Sequence, residues 1–286
     1  MRRLSSTLVV LAAAATAVAT AGATEIVTRN ATNVSLVANG RGEALLTYTA
    51  EGQQRRLLLS GAVNAIHPTQ SRPQVAFTIR SWSGGFAGSC GRYDGPPLPW
   101  LVVACKASDG SYWAVQSWQR MLPNFGGAPN AEQAAWELHL SHWTGELPKL
   151  EISLNWSWRR WEHLYGRFTY RGVAVHGFAS TSRGNPLDSF GRNVYLDTLD
   201  SAYGRGWKRE NSFLAHRPTG AFCYSVNPHG PYPAGNGRRY RATVKGPGVT
   251  PLVMWEGVSP GRYDHAADQE HNRRIASLRD RLCRPN

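Results

Sequence analysis

The sequence predicts a mainly β protein: an antiparallel β-sandwich, or one or more calycin-like barrels, with one α-helix at the C-terminal end. Three observations carry this. Apolar and polar residues alternate with period two through most of the chain. Turn dipeptides rich in Gly, Asn, Asp and Pro interrupt that alternation at short intervals. A period near 3.6 emerges only after Asp264. Strands do not alternate with helices, which argues against an α/β fold, and no repeat recurs at a fixed period, which argues against a propeller or solenoid.

The chain opens on a leader. Met1-Arg2-Arg3 is a short basic start, Leu4 to Ala23 carry no charge, and Ala21-Gly22-Ala23 has the small-residue spacing that signal peptidase reads. Residues 1–23 are therefore expected to be a signal peptide cut near Ala23, with Ala19-Thr20-Ala21 as a neighbouring alternative. Retention as an anchor is the competing reading, because the uncharged stretch approaches the ~20 residues that a membrane span needs. No later apolar run is long enough to span a bilayer, so the mature protein is expected to be secreted, with no membrane span once the leader is removed.

A first β region is expected over 24–122. Val34, Leu36 and Ala38 lead to the turn Asn39-Gly40, Ala44 to Thr49 return, and Glu51-Gly52 turns again into Arg56 to Leu59. Gln74 to Arg80 reads as a strand, a Gly-rich loop carries Cys90, and Trp100 to Cys105 reads as a buried strand joined through Asp109-Gly110 to Tyr112–Gln119. Residues 123–133, rich in Pro, Gly and Asn, are expected to be a linker or long loop.

A second β region follows over 134–263. Trp136, Leu138 and Leu140 alternate with Glu137, His139 and Ser141. Leu150, Ile152, Leu154, Trp156 and Trp158 alternate with polar residues, placing Trp156 and Trp158 in the core. A hairpin crosses Arg171-Gly172. Residues 180–211 read as a polar loop containing one short strand, Asn193 to Thr198. The last element, within 264–286, places Ala267, His271, Ile275, Leu278 and Leu282 on one helical face, with Asp264 as cap.

Four cysteines in an exported chain read as two disulfides. Three pairings are possible; sequence proximity favours Cys90–Cys105 and Cys223–Cys283. No C-x-x-C or H-E-x-x-H occurs, so neither a metal site nor a cofactor is expected. The formal charge of +13 falls to +11 when Arg2 and Arg3 leave with the leader. Such a surface attracts anionic polymers, but the charge is dispersed and no nucleic-acid-binding motif is present.

The densest chemistry lies between Asp188 and Asn211. Carboxylates (Asp188, Asp197, Asp200, Glu210), cations (Arg192, Arg205, Lys208, Arg209) and aromatics (Tyr195, Tyr203, Trp207) share one Gly-rich stretch. Aromatic faces beside charged groups suit sugar binding, and paired carboxylates suit glycan hydrolysis. Trp82, Trp143, Trp161 and Trp207 stand in turn-rich polar surroundings. The run Tyr195-Leu196-Asp197-Thr198 followed by Tyr203 to Asn211 resembles exported proteins of GC-rich bacteria that have no assigned activity. That resemblance implies no catalytic residues. The leading expectation is a non-catalytic binder of an envelope polymer or polysaccharide. A glycan-directed hydrolase or lyase using the loop carboxylates, and a structural envelope protein, are the alternatives.

Overall fold

A computed structural model describes residues 25–66, 75–119, 128, 130–159, 161–175, 193–215, 220–226 and 237–277. Residues 1–23, the expected signal peptide, and Asp188, Arg192, Leu278, Leu282 and Cys283 lie outside them. Among the described residues, no helix is long and apolar enough to cross a membrane.

Among the described residues two β-sandwiches account for the fold, and none of the four sheets closes into a barrel. The outer N-terminal sheet is a meander of β2 (Thr32–Ala38), β3 (Glu43–Ala50), β4 (Gln53–Gly61) and β5 (Phe77–Ser81). The inner N-terminal sheet has the order β1-β9-β8-β7-β6, from β1 (Glu25–Arg29), β6 (Gly91–Arg92), β7 (Leu101–Lys106), β8 (Tyr112–Gln119) and β9 (Trp136–Trp143). Their facing sides bury Leu36, Leu46, Leu59, Trp113, Val115, Leu138 and Leu140.

The outer C-terminal sheet runs β10 (Lys149–Ser157), β11 (Trp161–Tyr170), β12 (Val173–Ala174), with β15 (Ala221–Val226) paired to β11. The inner one runs β14-β13-β16-β17, from β13 (Asn193–Ser201), β14 (Gly204–Ala215), β16 (Arg239–Val244) and β17 (Val253–Val258). Leu164, Phe168, Val194, Leu196, Phe222 and Val244 fill the space between them. Gly166 faces Phe222 in register, and a Cβ there would stand 2.1 Å from that ring, so the aromatic ring occupies the side-chain position glycine leaves empty. A short helix, α1 (Ala131–Ala134), precedes β9. The strand after the 123–133 segment hydrogen-bonds to β8 and β1, so the chain changes sandwich only after Trp143.

The two inner sheets meet through Trp118, Tyr195, Leu252 and Trp100. This contact explains a departure from the simple alternation. Glu137, His139 and Ser141, on the polar side of β9, are buried as fully as Leu138 and Leu140, because a second sheet covers that side too. Gln116 bridges the sheets: its Oε1 accepts the Leu252 N–H at 3.1 Å, and its Nε2 donates to the Pro99 and Leu252 carbonyls. A buried amide with its groups satisfied fixes register without the penalty of unpaired polar atoms.

Helix α2 (His265–Ser277) packs on the outside of β10. Asp264 caps it, accepting the N–H groups of Ala266 and Ala267 at 2.8 and 3.1 Å. Its buried face carries Asp268, His271 and Ile275. His271 reaches two serines of β10, with Ser153 Oγ 3.1 Å from Nε2 and Ser157 Oγ 3.0 Å from Nδ1. Trp158 occupies the turn after β10 at φ 53° and packs with the α2 cluster, away from the apolar face of Leu150, Ile152 and Leu154.

Three further expectations are corrected. Trp143 is fully buried at the end of β9, touching Tyr93 and Tyr112. Leu101 and Val102 are exposed at 40% and 43%, because the two-residue β6 covers only the far end of β7. The Cys90–Cys105 bridge is not formed: both are thiols, although close enough to hydrogen-bond. Cys223 is disulfide-bonded; Cys283, its expected partner, lies outside the described residues.

Burial pushes the Cys105 thiol well above the ordinary range, with the neighbouring Cys90 adding to the effect, while Cys90 itself is exposed. In the reduced native protein, iodoacetamide is therefore expected to label Cys90 about tenfold faster than Cys105. Peptide mapping after partial alkylation checks this, and equal labelling would show that the β6–β7 edge opens freely.

Candidate functional site

From Asn193 on, the stretch that reads as a loop forms a hairpin. β13 and β14 pair from Asn193↔Ala215 to Ser201↔Gly204. Gly204 and Gly206 lie at φ 118° and 76°, conformations that glycine adopts without strain. Asp200, at φ 52°, accepts the Gly206 N–H at 2.8 Å, so its carboxylate shapes the turn. The register slips between Val194 and Leu196, between Leu196 and Asp197, and between Leu199 and Ser201, but from Asp197↔Arg209 to Leu199↔Trp207 it holds, and side chains there divide between two faces. Tyr195, Asp197, Trp207 and Arg209 point toward the N-terminal sandwich, while Glu210 faces the outer C-terminal sheet.

Asp197 lies directly opposite Arg209 on one neighbouring strand and Arg241 on the other, and Arg241 lies opposite Glu256. The sheet thus carries a row of alternating charge across four strands. Arg209 holds both Asp197 oxygens, and Arg241 donates to Oδ2 through Nε at 3.0 Å and Nη2 at 2.8 Å. The Asp197 side chain is 3% exposed, Arg209 4% and Arg241 14%. Two cations share one buried carboxylate, leaving local positive charge where solvent is scarce.

Aromatic rings clamp this row. The Arg241 guanidinium carbon lies 4.2 Å from the Trp207 ring centre and 4.9 Å from that of Trp100. Arg209 lies over Tyr195 at 4.9 Å. Trp100 in turn stacks on Trp118 at 6.1 Å and 9°. Each such cation–π contact contributes about 1–2 kcal/mol when shielded from water. Trp100, Gln119, Trp136, Asp197, Trp207, Arg209 and Arg241 line a cleft of about 440 Å³, including its open mouth, at the seam between the inner sheets. Trp136 stands at the cleft with 47% of its surface exposed.

No protein family, curated protein or solved structure matches the chain. The cleft is therefore read from its own chemistry. It brings together four of the residues singled out in the sequence, Tyr195, Asp197, Trp207 and Arg209. Lys208 follows Trp207 on the alternating strand, opposite Thr198. Tyr203 sits half-buried at the turn, its hydroxyl pushed up to about 12 by burial and by Glu210. Glu210 accepts the Tyr224 hydroxyl at 3.3 Å in a separate small cavity lined by Leu164, Thr198, Val226 and Tyr240.

Trp100, Gln119, Trp136 and Arg241 were missed, since each belongs to another strand or strand end. Alternation through Arg239-Tyr240-Arg241 marks Tyr240 as inward and both arginines as outward, but nothing in the sequence says which strand receives them. Among the described residues, no group of three or more His, Cys, Asp or Glu is arranged to hold a metal ion.

Proposed function

We propose that the protein is an exported, non-catalytic binder of an anionic envelope polysaccharide, held in the cleft between the two inner sheets. The observation that carries this is the Trp100–Arg241–Trp207 stack anchored on Asp197. It sets a fixed cation against two indole rings, beside the exposed Trp136. Sugar rings present apolar faces to indoles and hydroxyls to polar groups, and a cation in a partly dehydrated cleft adds attraction for an anionic substituent.

The hydrolase reading draws no support from the placement of three of its four acids, the fourth, Asp188, lying outside the described residues. Asp197 is bound by two arginines, Asp200 forms a turn, and Glu210 faces the opposite side of the sheet. These three do not flank one glycosidic bond as such chemistry requires. The expected location outside the cell follows from the leader, and the resemblance to exported proteins agrees with it.

Affinity electrophoresis in gels containing acidic or neutral polysaccharides tests the reading. Wild-type protein is expected to be retarded by acidic polymers, less so at high salt. Trp136→Ala removes an exposed ring without disturbing the core, and binding is expected to weaken about fivefold or more. Unchanged retardation in Trp136→Ala would move the site elsewhere. Release of oligosaccharides would replace this reading by an enzymatic one.

A further inference from the structure

We infer that the group recognised in the cleft is a planar carboxylate carried on a sugar ring, as in a polyuronate, and not a sulfate or phosphate ester. The inference rests on the cleft being the binding site and adds the class of anion it selects.

A guanidinium presents two edges to hydrogen-bond acceptors. In Arg241, the edge formed by Nε and Nη2 is already committed to Asp197 Oδ2. Nη1 donates to no group among the described residues, and the Arg241 side chain retains 14% exposure at the cleft. The outer edge, Nη1 with the second proton of Nη2, therefore remains open. That edge matches the two oxygens of a carboxylate in a coplanar pair of parallel hydrogen bonds.

The indoles decide which anion fits. The Arg241 guanidinium carbon lies over the Trp207 and Trp100 rings, 4.2 and 4.9 Å from their centres, so an acceptor reaching its open edge comes close to indole. A flat carboxylate meets that edge with both oxygens in the guanidinium plane. A sulfate or phosphate carries further oxygens out of that plane, toward indole faces whose quadrupole disfavours them. Asp197 fixes the guanidinium's orientation and lowers the net charge of the cluster, which weakens the pull on densely charged anions without shape selection. Gln119 Nε2 donates to the Ala134 carbonyl at 2.6 Å, which leaves its carbonyl oxygen to accept from a ring hydroxyl.

The test uses three probes of equal length: an oligogalacturonate, its uncharged methyl ester, and a sulfated oligoglucoside of the same charge. Titration calorimetry at 0.15 M salt reads affinity, and circular dichroism confirms that each variant is folded. Wild type is expected to bind the oligogalacturonate at least tenfold more tightly than either other probe. Arg241→Lys keeps a charge but has no planar paired edge, so the preference is expected to collapse. Trp207→Ala removes one of the two indole rings and is expected to raise sulfated-probe affinity relative to the oligogalacturonate, which tests the inference even if Arg241→Lys does not fold. Sulfated probe bound as well as carboxylate by wild type would overturn the carboxylate selection while leaving the polysaccharide reading standing. Binding of none of the three, with no retardation by acidic polymers, would overturn both.

Discussion

Replacing Asp197 by Ala is expected to lower the free energy of unfolding at neutral pH by about 3–5 kcal/mol, the usual cost of removing one partner from a buried ion pair. The carboxylate is the only anion directly opposite both Arg209 and Arg241, on the central strand of three. Without it, two guanidinium groups, 4% and 14% exposed, face each other across β13 with their shared counter-charge gone. The loss is large beside a domain stability of about 5–15 kcal/mol, so the denaturant midpoint should fall steeply. Asp197→Asn keeps the shape and one acceptor oxygen, and a smaller loss is expected. Glu256→Ala, at the exposed end of the same row and 27% exposed, should cost no more than about 1 kcal/mol. Urea unfolding of the three variants checks this ordering. An Asp197→Ala protein within 1 kcal/mol of wild type would mean that water reaches the row and screens it.

The same row shows how far sequence reading reaches. Alternation places Tyr195 and Asp197 on one face of a strand, and that face carries the site. The meander of β2, β3 and β4, its turns at Asn39-Gly40 and Glu51-Gly52, and the helix capped by Asp264 were legible for the same reason, since each depends on neighbours within a few residues. What was not legible is non-local. Residues 180–211 read as a loop because Asp, Arg, Lys and Glu on both faces suggest solvent. Across the described part, 193–211, one face meets the other sandwich and the other face meets β15, so its charges are satisfied by pairing across strands. Trp136 and Trp143 open and close one strand, and sequence treats them alike. Only the stacking of the sheets leaves the first exposed and buries the second among Tyr93 and Tyr112.

Acid is expected to destabilise the fold between pH 6.5 and about 3, starting well above the range where carboxylate protonation alone would do so. His142 and His163 are 2% exposed. Burial holds His142 down to about 4, against the opposing pull of the Ala62 carbonyl and Asp109. It holds His163 down to about 3, helped by the neighbouring His271. His271 is lowered as well, chiefly by burial. A histidine whose folded pKa lies below its unfolded value contributes full stability above pH 6.5 and loses it as pH falls through the folded value, because the unfolded chain takes up the proton first. At 1.36 kcal/mol per pH unit, the shifts amount to about 3 kcal/mol for His142 and about 5 kcal/mol for His163 when the descent is complete. Glu162 works in the opposite sense. Burial raises its carboxyl despite bonds from Tyr240 and Ser259, so its protonation favours the folded state as pH falls and offsets part of the loss. The geometry says where the damage begins. Protonating His142 puts a charge where burial keeps water out, a cost that the stacked Trp113 ring 3.7 Å away and the Ser111 hydroxyl offset only in part. Protonating His163 sets a cation 6.0 Å from His271, the residue that docks α2 onto β10. Urea midpoints measured from pH 7 to pH 4 should therefore fall most steeply below pH 6.5, with α2 released before the sandwiches. His163→Gln, neutral at every pH, should flatten the profile in proportion to its share. A midpoint that stays level from pH 7 to 4.5 would show that these histidines protonate in place, with water entering both pockets.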